Sequence, residues 1–375
     1  MNRLDINRLG ENIDRAAAYD MDNHKLFGSA YYVYQDGVEL EKCYGTQTLK
    51  GDAPITGNTV FRLASMTKPI TAVATLILVE RGLLSLDDPI DRFLPEFGRI
   101  KIKDAQGNLS EPQKLPTLRH LLTHTSGIAT IPEKFKGITP DDKKTLDSAV
   151  AFYLKGGLDY EPGTKQLYSG TAAFNVLAKI IETVSGEDYL TFLKKEILAP
   201  CEMPDTTFIP SVEQKVRMVE MHQKENGENA VFAMPEGCVF ESYPCTHYLG
   251  GAGLISTLHD YANFAKMLLH QGKTKAGQIL TEESVALLGS PHVSKDIMPY
   301  HERWGLGVRV ITEERYRYLP KGTFGWSGAY GSHFWVDPVN RIVAVYMKNS
   351  KFDGGAGNES ARNFEKAVFS SFMEE

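Results

Sequence analysis

The chain has 375 residues, of which 42% are hydrophobic and 23% charged, and it carries a formal net charge of −6. That length accommodates one large domain or two intimate ones, in a composition ordinary for a globular fold. The acidic balance leaves no basic footprint for nucleic acid as a partner, and no apolar run is long enough to span a bilayer.

Residues 1–9 pattern as an amphipathic helix and lack the apolar centre of a signal peptide, so a cytoplasmic location is expected. Residues 28–34 and 38–44, rich in Tyr and Val, read as two strands joined by Gln35-Asp36-Gly37 into a hairpin. A loop with Gly51, Pro54 and Gly57 leads to an apolar helical run over 70–84, which Leu86-Asp87-Asp88-Pro89 closes. Helical spacing recurs over 118–123, 147–153, 171–184, 189–197 and 258–270. Strand-like segments return at 305–311, 323–326, 332–336 and 341–347, ahead of a last helix over 359–373. Two early strands and at least three late ones thus flank a mostly helical middle. The expected fold class is α+β: an antiparallel sheet built from both ends of the chain, flanked by N- and C-terminal helices, plus an all-helical domain. The expected boundaries are 1–95 with 245–375 for the discontinuous α/β sandwich domain and 96–244 for the helical one. A cleft between two such lobes is where sites tend to lie.

Ser65-Met66-Thr67-Lys68 opens the first apolar helix. A serine and a lysine three apart share one helix face, and Ser-x-x-Lys is a nucleophile motif. A serine hydroxyl is a weak nucleophile until a base takes its proton. A lysine in a dry cleft can take it once burial lowers its pKa. Alone, the tetrapeptide also fits a plain helix start with a capping serine. Tyr168-Ser169-Gly170 follows Glu161-Pro162-Gly163 and precedes a helix, so its phenol can point into a cleft and exchange protons with a nearby ammonium. By itself it fits simple packing equally. Phe324-Gly325-Trp326-Ser327-Gly328-Ala329-Tyr330-Gly331 is a glycine-dense strand edge, where a substrate can approach the backbone and N–H groups can face an oxyanion. Its other reading is a twisted strand with a bulge.

The remaining motifs read as architecture. His124, in Leu121-Leu122-Thr123-His124-Thr125-Ser126-Gly127, is expected to brace its loop by hydrogen bonds rather than act as a base. Gly250-Gly251-Ala252-Gly253 lacks the spacing of a dinucleotide fingerprint and is expected to let two backbones pass closely. Asp87-Asp88-Pro89 reads as turn chemistry. Cys238, Cys245 and His247 fit no zinc spacing, and the thiols are read as buried or incidental. Tyr300, Arg303, Arg315, Tyr316 and Tyr318, within 291–321, are expected to border the cleft.

Taken together and in order, Phe61-Arg62-Leu63-Ala64-Ser65-Met66-Thr67-Lys68, Leu86-Asp87-Asp88-Pro89, the Leu-Leu-Thr-His-Thr-Ser-Gly stretch, Glu161-Pro162-Gly163 with Tyr168-Ser169, and the Trp-Ser-Gly strand carry a resemblance. Over nearly its whole length the chain resembles the serine β-lactamase-like superfamily, and within it class C β-lactamases, D-alanyl-D-alanine carboxypeptidases and family VIII esterases. The resemblance implies an α/β sandwich domain made from both termini and an all-helical domain. It makes Ser65 the acylated nucleophile, Lys68 its proton partner and Tyr168, matching the tyrosine of Tyr-x-Asn, a candidate general base. Trp326-Ser327-Gly328 matches the Lys-Thr-Gly substrate-binding triplet, and the N–H groups of Ser65 and Ala329 would form the oxyanion hole. The chemistry implied needs no metal or organic cofactor.

Two departures bear on the substrate. Gly170 stands where the pattern has asparagine, which removes an amide that would hold an acylamino group. Trp326 stands where it has a lysine, which removes a charge-assisted bond to a carboxylate, about 1.5–3 kcal/mol. An indole there favours apolar groups, and family VIII esterases are similar in carrying Trp-x-Gly. The expectation is a carboxylesterase on small neutral or apolar esters. Its rivals are β-lactamase or D-Ala-D-Ala carboxypeptidase activity and a non-catalytic ligand binder. The expected partner is a small-molecule ester or amide, and no motif specifies an oligomeric state.

Overall fold

A computed structural model describes residues 2–51, 53–104, 106–130, 145–233, 247–314 and 318–373. The hairpin at the start of the chain forms as its turn residues require. Strand β1 (Gly28–Gln35) pairs antiparallel with β2 (Val38–Gly45) along its whole length. Asp36 and Gly37 make the corner at φ of 46° and 89°, the left-handed pair that matches strand twist.

Two short strands follow, β3 (Phe61–Arg62) and, far along the chain, its partner β8 (Ile255–Ser256). Between them lie two hairpins, β4 (Ile102–Lys103) with β5 (Leu109–Ser110) and β6 (His222–Glu225) with β7 (Glu228–Val231). A third, β9 (Lys273–Thr274) with β10 (Gly277–Gln278), comes later. The helical spacing in the middle of the chain gave no sign of these pairs, because strands of two to four residues are too short to establish a period of two.

The late strands are β11 (Glu302–Trp304), β12 (Arg309–Ile311), β13 (Phe324–Ser327), β14 (His333–Asp337) and β15 (Ile342–Met347). They join the first hairpin in one seven-stranded antiparallel sheet, ordered β11-β12-β13-β14-β15-β1-β2. The expectation of one strand over 305–311 is corrected here. The chain turns at Gly305, whose N–H donates to Val308 C=O at 2.9 Å, and Gly307 sits at φ 72°. That left-handed conformation cannot continue a strand, so two strands replace one.

The helices are α1 (Ile6–Asp22), α2 (Thr67–Glu80), α3 (Leu118–Leu122), α4 (Leu146–Gly156), α5 (Ala172–Ser185), α6 (Tyr189–Leu193), α7 (Val212–Val216), α8 (Leu258–Leu269), α9 (Glu282–Leu288) and α10 (Glu359–Phe369). Alternation along the strands divides the sheet into two buried faces. Tyr31, Val33, Ala344 and Tyr346 meet Leu9 and Ile13 of α1 and Phe364 of α10. Ala30, Tyr32, Val343 and Val345 face the other way, into the core shared with α8 and the central helices. Every residue of β15 is buried, which explains its unbroken apolar run in an antiparallel strand. The fold is therefore α+β with terminal helices on one face of an antiparallel sheet, the β-lactamase/transpeptidase-like arrangement.

Helix α2 lies at the centre. Thr67 to Leu78 are all buried, so the helix is enclosed on every side rather than along one stripe. It begins three residues before the expected run, after a 3₁₀ turn over Ala64–Met66. It ends at Glu80, followed by Gly82 at φ 70°.

Candidate active site

The turn ahead of α2 presents Ser65. Leu63 N–H donates to Leu254 C=O at 2.9 Å, which ties the chain beside β8. Ala64 then takes φ 45°, an uncommon conformation for a residue with a Cβ. The bend leaves Ser65 half-buried at the start of a helix, where backbone N–H groups have no intrahelical partner.

Lys68 lies one turn further and is fully buried. Its Nζ reaches Ser65 Oγ at 3.1 Å, Gly170 C=O at 2.6 Å and Gly251 C=O at 2.7 Å. Burial pulls its pKa below the usual 10.5, while the Tyr168 phenol acts in the opposite direction. The two carbonyls accept from two of its N–H groups, and the third contact is to the serine hydroxyl. The Gly250-Gly251 pair makes this possible. A Cβ on Gly250 would lie 1.9 Å from Phe174 C=O, so the two backbones do pass closely, as the run of glycines suggested. Thr71 Oγ1 holds Gly250 C=O from below at 2.6 Å.

Tyr168 completes the set. Its hydroxyl donates to Ser65 Oγ at 2.8 Å, and Lys68 Nζ lies 5.0 Å from its ring centre. The ring rests on Trp304, Trp326 and His124, with centroids 5.9, 5.5 and 4.5 Å away. His124 braces this loop: its Nδ1 accepts Ser169 N–H at 3.2 Å, and its C=O accepts Leu167 N–H at 3.2 Å. Burial first, then the Lys68 and Arg309 charges, hold the imidazole well below its usual range. Its proton therefore sits on Nε2, and Nδ1 is free to accept.

The glycine-dense strand borders the same turn. A Cβ on Gly328 would lie 2.4 Å from Leu63 C=O, so glycine lets β13 abut the backbone ahead of Ser65. Gly328 C=O accepts N–H bonds from Gly331 at 3.0 Å and Gly355 at 3.1 Å. Carbonyl and following N–H point oppositely in a trans peptide, so the N–H of Ala329 is turned away from both donors. Trp326 is 7% exposed and packs on Trp304 with centroids 4.6 Å apart, so little of its indole is open to the groove.

Two expected substrate contacts change character. Successive strand residues alternate faces, and Ser327 points away from Trp326. Its Oγ meets His333 Nδ1 at 2.8 Å, and His333 Nε2 meets Glu365 Oε1 of α10 at 3.1 Å. A buried hydroxyl engaged behind the sheet leaves only backbone at Ser327 for a substrate. Gly170 contributes its carbonyl to Lys68, and among the described residues no heavy atom lies within 4 Å of an added Cβ there.

Other motifs fall elsewhere. Asp88 caps its own turn through Ser85 N–H at 2.7 Å, and Asp87 forms a two-pronged pair with Arg119 at 2.8 and 2.9 Å. Tyr318 packs on Phe369 of α10, behind the sheet rather than at the groove, and Tyr300 is exposed. Arg315, Tyr316, Cys238 and Cys245 lie outside the described residues, while His247 is buried. From the same stretch it is Trp304 that reaches the site. Its sequence signal was a single aromatic before Gly305, indistinguishable from core. Among the described residues no group of three or more His, Cys, Asp or Glu side chains converges as a metal site, and no helix is long and apolar enough to cross a membrane.

A serine at the head of a buried helix, contacted by a lysine one turn on and by a tyrosine from the helical part, set beside an antiparallel sheet, defines a serine β-lactamase-like site. The sequence pattern of the family described as Beta-lactamase matches residues 13–367, and the chain belongs to that family. Among its relatives is Esterase EstB of Burkholderia gladioli, 28% identical over 384 residues and 94% of each chain. Monacolin J acid methylbutanoyltransferase of Aspergillus terreus is 25% identical over 89% of this chain and 88% of its own. The solved structure of EstCE1, a hydrolase with promiscuous acyltransferase activity, superposes with a TM-score of 0.82 at 23% identity, covering 97% of this chain and 99% of the other. The chain is a serine-hydrolase-type enzyme.

Proposed function

We propose that this enzyme is a carboxylesterase that works through an acyl-enzyme on Ser65. The observation that carries the reading is the placement of Ser65 Oγ between Lys68 Nζ at 3.1 Å and the Tyr168 hydroxyl at 2.8 Å. Lys68, whose pKa burial lowers, takes the Ser65 proton in its neutral form as Oγ attacks the ester carbonyl. The N–H groups of Ser65 and Ala329 stabilise the oxyanion. The ester C–O bond breaks, and the leaving alkoxide takes the Tyr168 proton, which Lys68 restores. Water attacks the acyl-enzyme by the reverse route and releases the acid.

Preference for esters over lactams and D-peptides rests on Trp326 and Gly170. An indole supplies no charge for a substrate carboxylate, and glycine supplies no amide for an acylamino group. The Arg309 guanidinium behind Trp326 pairs with Glu302 at 2.7 Å and lies on the Trp304 and Trp326 rings. A second reading, transfer of the acyl group to an alcohol other than water, is favoured by the methylbutanoyltransferase relative and needs no change in the residues.

The test is intact-protein mass spectrometry after incubation with short-chain esters, nitrocefin and a D-Ala-D-Ala peptide, with Ser65→Ala alongside. The expected result is an acyl adduct on Ser65 from esters, steady turnover of p-nitrophenyl butyrate, and neither in Ser65→Ala. Wild-type turnover by Ser65→Ala overturns the mechanism. Robust carboxypeptidase turnover without esterase turnover overturns the substrate class. Adding a primary alcohol separates the second reading, since a transferase forms the new ester at the expense of the acid.

A further inference from the structure

The segment after β15 is tied to both sides of the proposed oxyanion hole. Asn349, 2% exposed, brackets the peptide units of Arg62: its Oδ1 accepts Arg62 N–H at 2.9 Å, and its Nδ2 donates to Arg62 C=O at 3.0 Å. That fixes the chain just ahead of Ser65. Further along the segment, Gly355 N–H donates to Gly328 C=O at 3.1 Å, in the peptide whose N–H belongs to Ala329. Between these, Ser350 N–H donates to Tyr330 C=O at 2.9 Å. A Cβ on Gly354 would lie 2.1 Å from Ala329 C=O, so glycine is required for this approach.

The segment is itself held rigidly. Lys348 is fully buried, with Nζ 2.7 Å from Asp353 Oδ2 and 3.0 Å from Ser360 Oγ. Asp353 also accepts the N–H groups of Glu359 at 3.0 Å and Ser360 at 3.2 Å, which joins it to the start of α10. The two oxyanion donors come from opposite ends of the chain, and their separation must match one oxygen atom. Direct contact between Gly328 and Leu63 presses the two backbones together, but contact alone does not orient peptides. Hydrogen bonds from one common segment do.

We propose that residues 348–357 gauge the oxyanion hole, with Asn349 and Gly355 as positioning residues that touch no substrate. The proposal rests on the reading of Ser65 and Ala329 N–H as the oxyanion donors. Asn349→Ala and Gly354→Ala test it, measured for kcat and KM on p-nitrophenyl butyrate and for inhibition by a trifluoromethyl ketone, which forms a tetrahedral adduct. Ile13→Ala, in the core beneath the terminal helices, is the control for stability loss.

Loss of one oxyanion donor costs about a hundredfold to a thousandfold in kcat, so its misplacement is expected to cost roughly tenfold to a hundredfold. KM should stay within about twofold, because ground-state binding is untouched. Ketone inhibition should weaken by the same factor as kcat/KM. Asn349→Asp, which keeps the acceptor and loses the donor, should fall between wild type and Asn349→Ala, and it serves if the alanine variant does not fold. Wild-type kcat in Asn349→Asp and Gly354→Ala, or losses no larger than in Ile13→Ala at equal loss of Tm, would overturn the gauge. Failure of a fluorophosphonate to label Ser65 in the wild type removes the underlying reading instead. Labelling with turnover in the wild type, and no kcat effect in the variants, removes the gauge alone.

Discussion

Trp304 and Tyr168 lie ring on ring, 13° from parallel with centroids 5.9 Å apart. Trp304 is fully buried, whereas Tyr168 is 37% exposed, so the tryptophan is the fixed member of the pair. It holds the tyrosine ring while the hydroxyl stays available to Ser65.

Removing that support should therefore be read in rate as well as stability. An aromatic pair contributes about 0.5–1.5 kcal/mol beyond burial, which corresponds to roughly twofold to tenfold in kcat if the misplaced hydroxyl is what is lost. Trp304→Ala is expected to show this loss with a large drop in Tm, since Trp→Ala in a core costs about 3–5 kcal/mol. Trp304→Phe should retain most activity. Among the described residues the indole Nε1 has no hydrogen-bond partner, so phenylalanine gives up little but area. Steady-state kinetics and thermal melts on both variants check the prediction, and equal kcat in all three proteins would show that the stack does not position Tyr168.

The charge of Lys68 sets a pH dependence. Its folded pKa is depressed below 10.5 by burial, against the opposing phenol. On the proposed mechanism acylation requires the neutral amine, so the rate should rise as pH increases through the folded pKa and then level. The same shift enters stability. Between the folded pKa and 10.5 the unfolded chain holds a proton that the native chain lacks, so native stability rises with pH across that window and is lost as pH falls through the folded pKa. Relative to Lys68→Met, which has no such proton, wild type should gain stability as pH is raised toward 10.5. Denaturant melts of the two proteins at several pH values measure the difference, and a gap that narrows in wild type's disfavour contradicts a buried neutral amine.

Gly170 tests the substrate argument directly. Among the described residues an added Cβ meets no heavy atom within 4 Å, so Gly170→Asn should fold with a stability change of about 0.5 kcal/mol or less. Its amide adds one hydrogen bond for an acylamino group, roughly 0.5–1.5 kcal/mol, or about twofold to tenfold in kcat/KM. Amide-bearing acyl donors should gain by that factor relative to butyrate esters. A uniform change across both substrate classes would separate Gly170 from acyl recognition.

Much of this was legible along the chain. The left-handed corner at Asp36-Gly37 needed only its residue types, and the hairpin followed. Ser65 and Lys68 needed only their spacing, because a helix turn brings residues three apart together. His124 as a loop brace and Gly250-Gly251 as a close crossing were also readable, each from chemistry carried by the residue itself. By contrast, the face to which Ser327 turns is not fixed within β13. Which face each residue takes is set by which side of the sheet the rest of the fold buries. Trp304 carried no distinguishing mark, since an aromatic against the Tyr168 ring and one in a core have the same local pattern.

Local spacing and turn chemistry thus determined the longer elements, their order and the serine–lysine pair, because those depend on bonds within a few residues. Only the tertiary structure decided what surrounds them: Gly170 and Gly251 carbonyls on one amine, Trp304 beneath Tyr168, Glu365 against His333, and Asn349 beside Arg62. Each joins segments far apart in sequence. Such contacts follow from how a sheet assembled from both ends of the chain packs against a central helix, and no window along the sequence contains both partners.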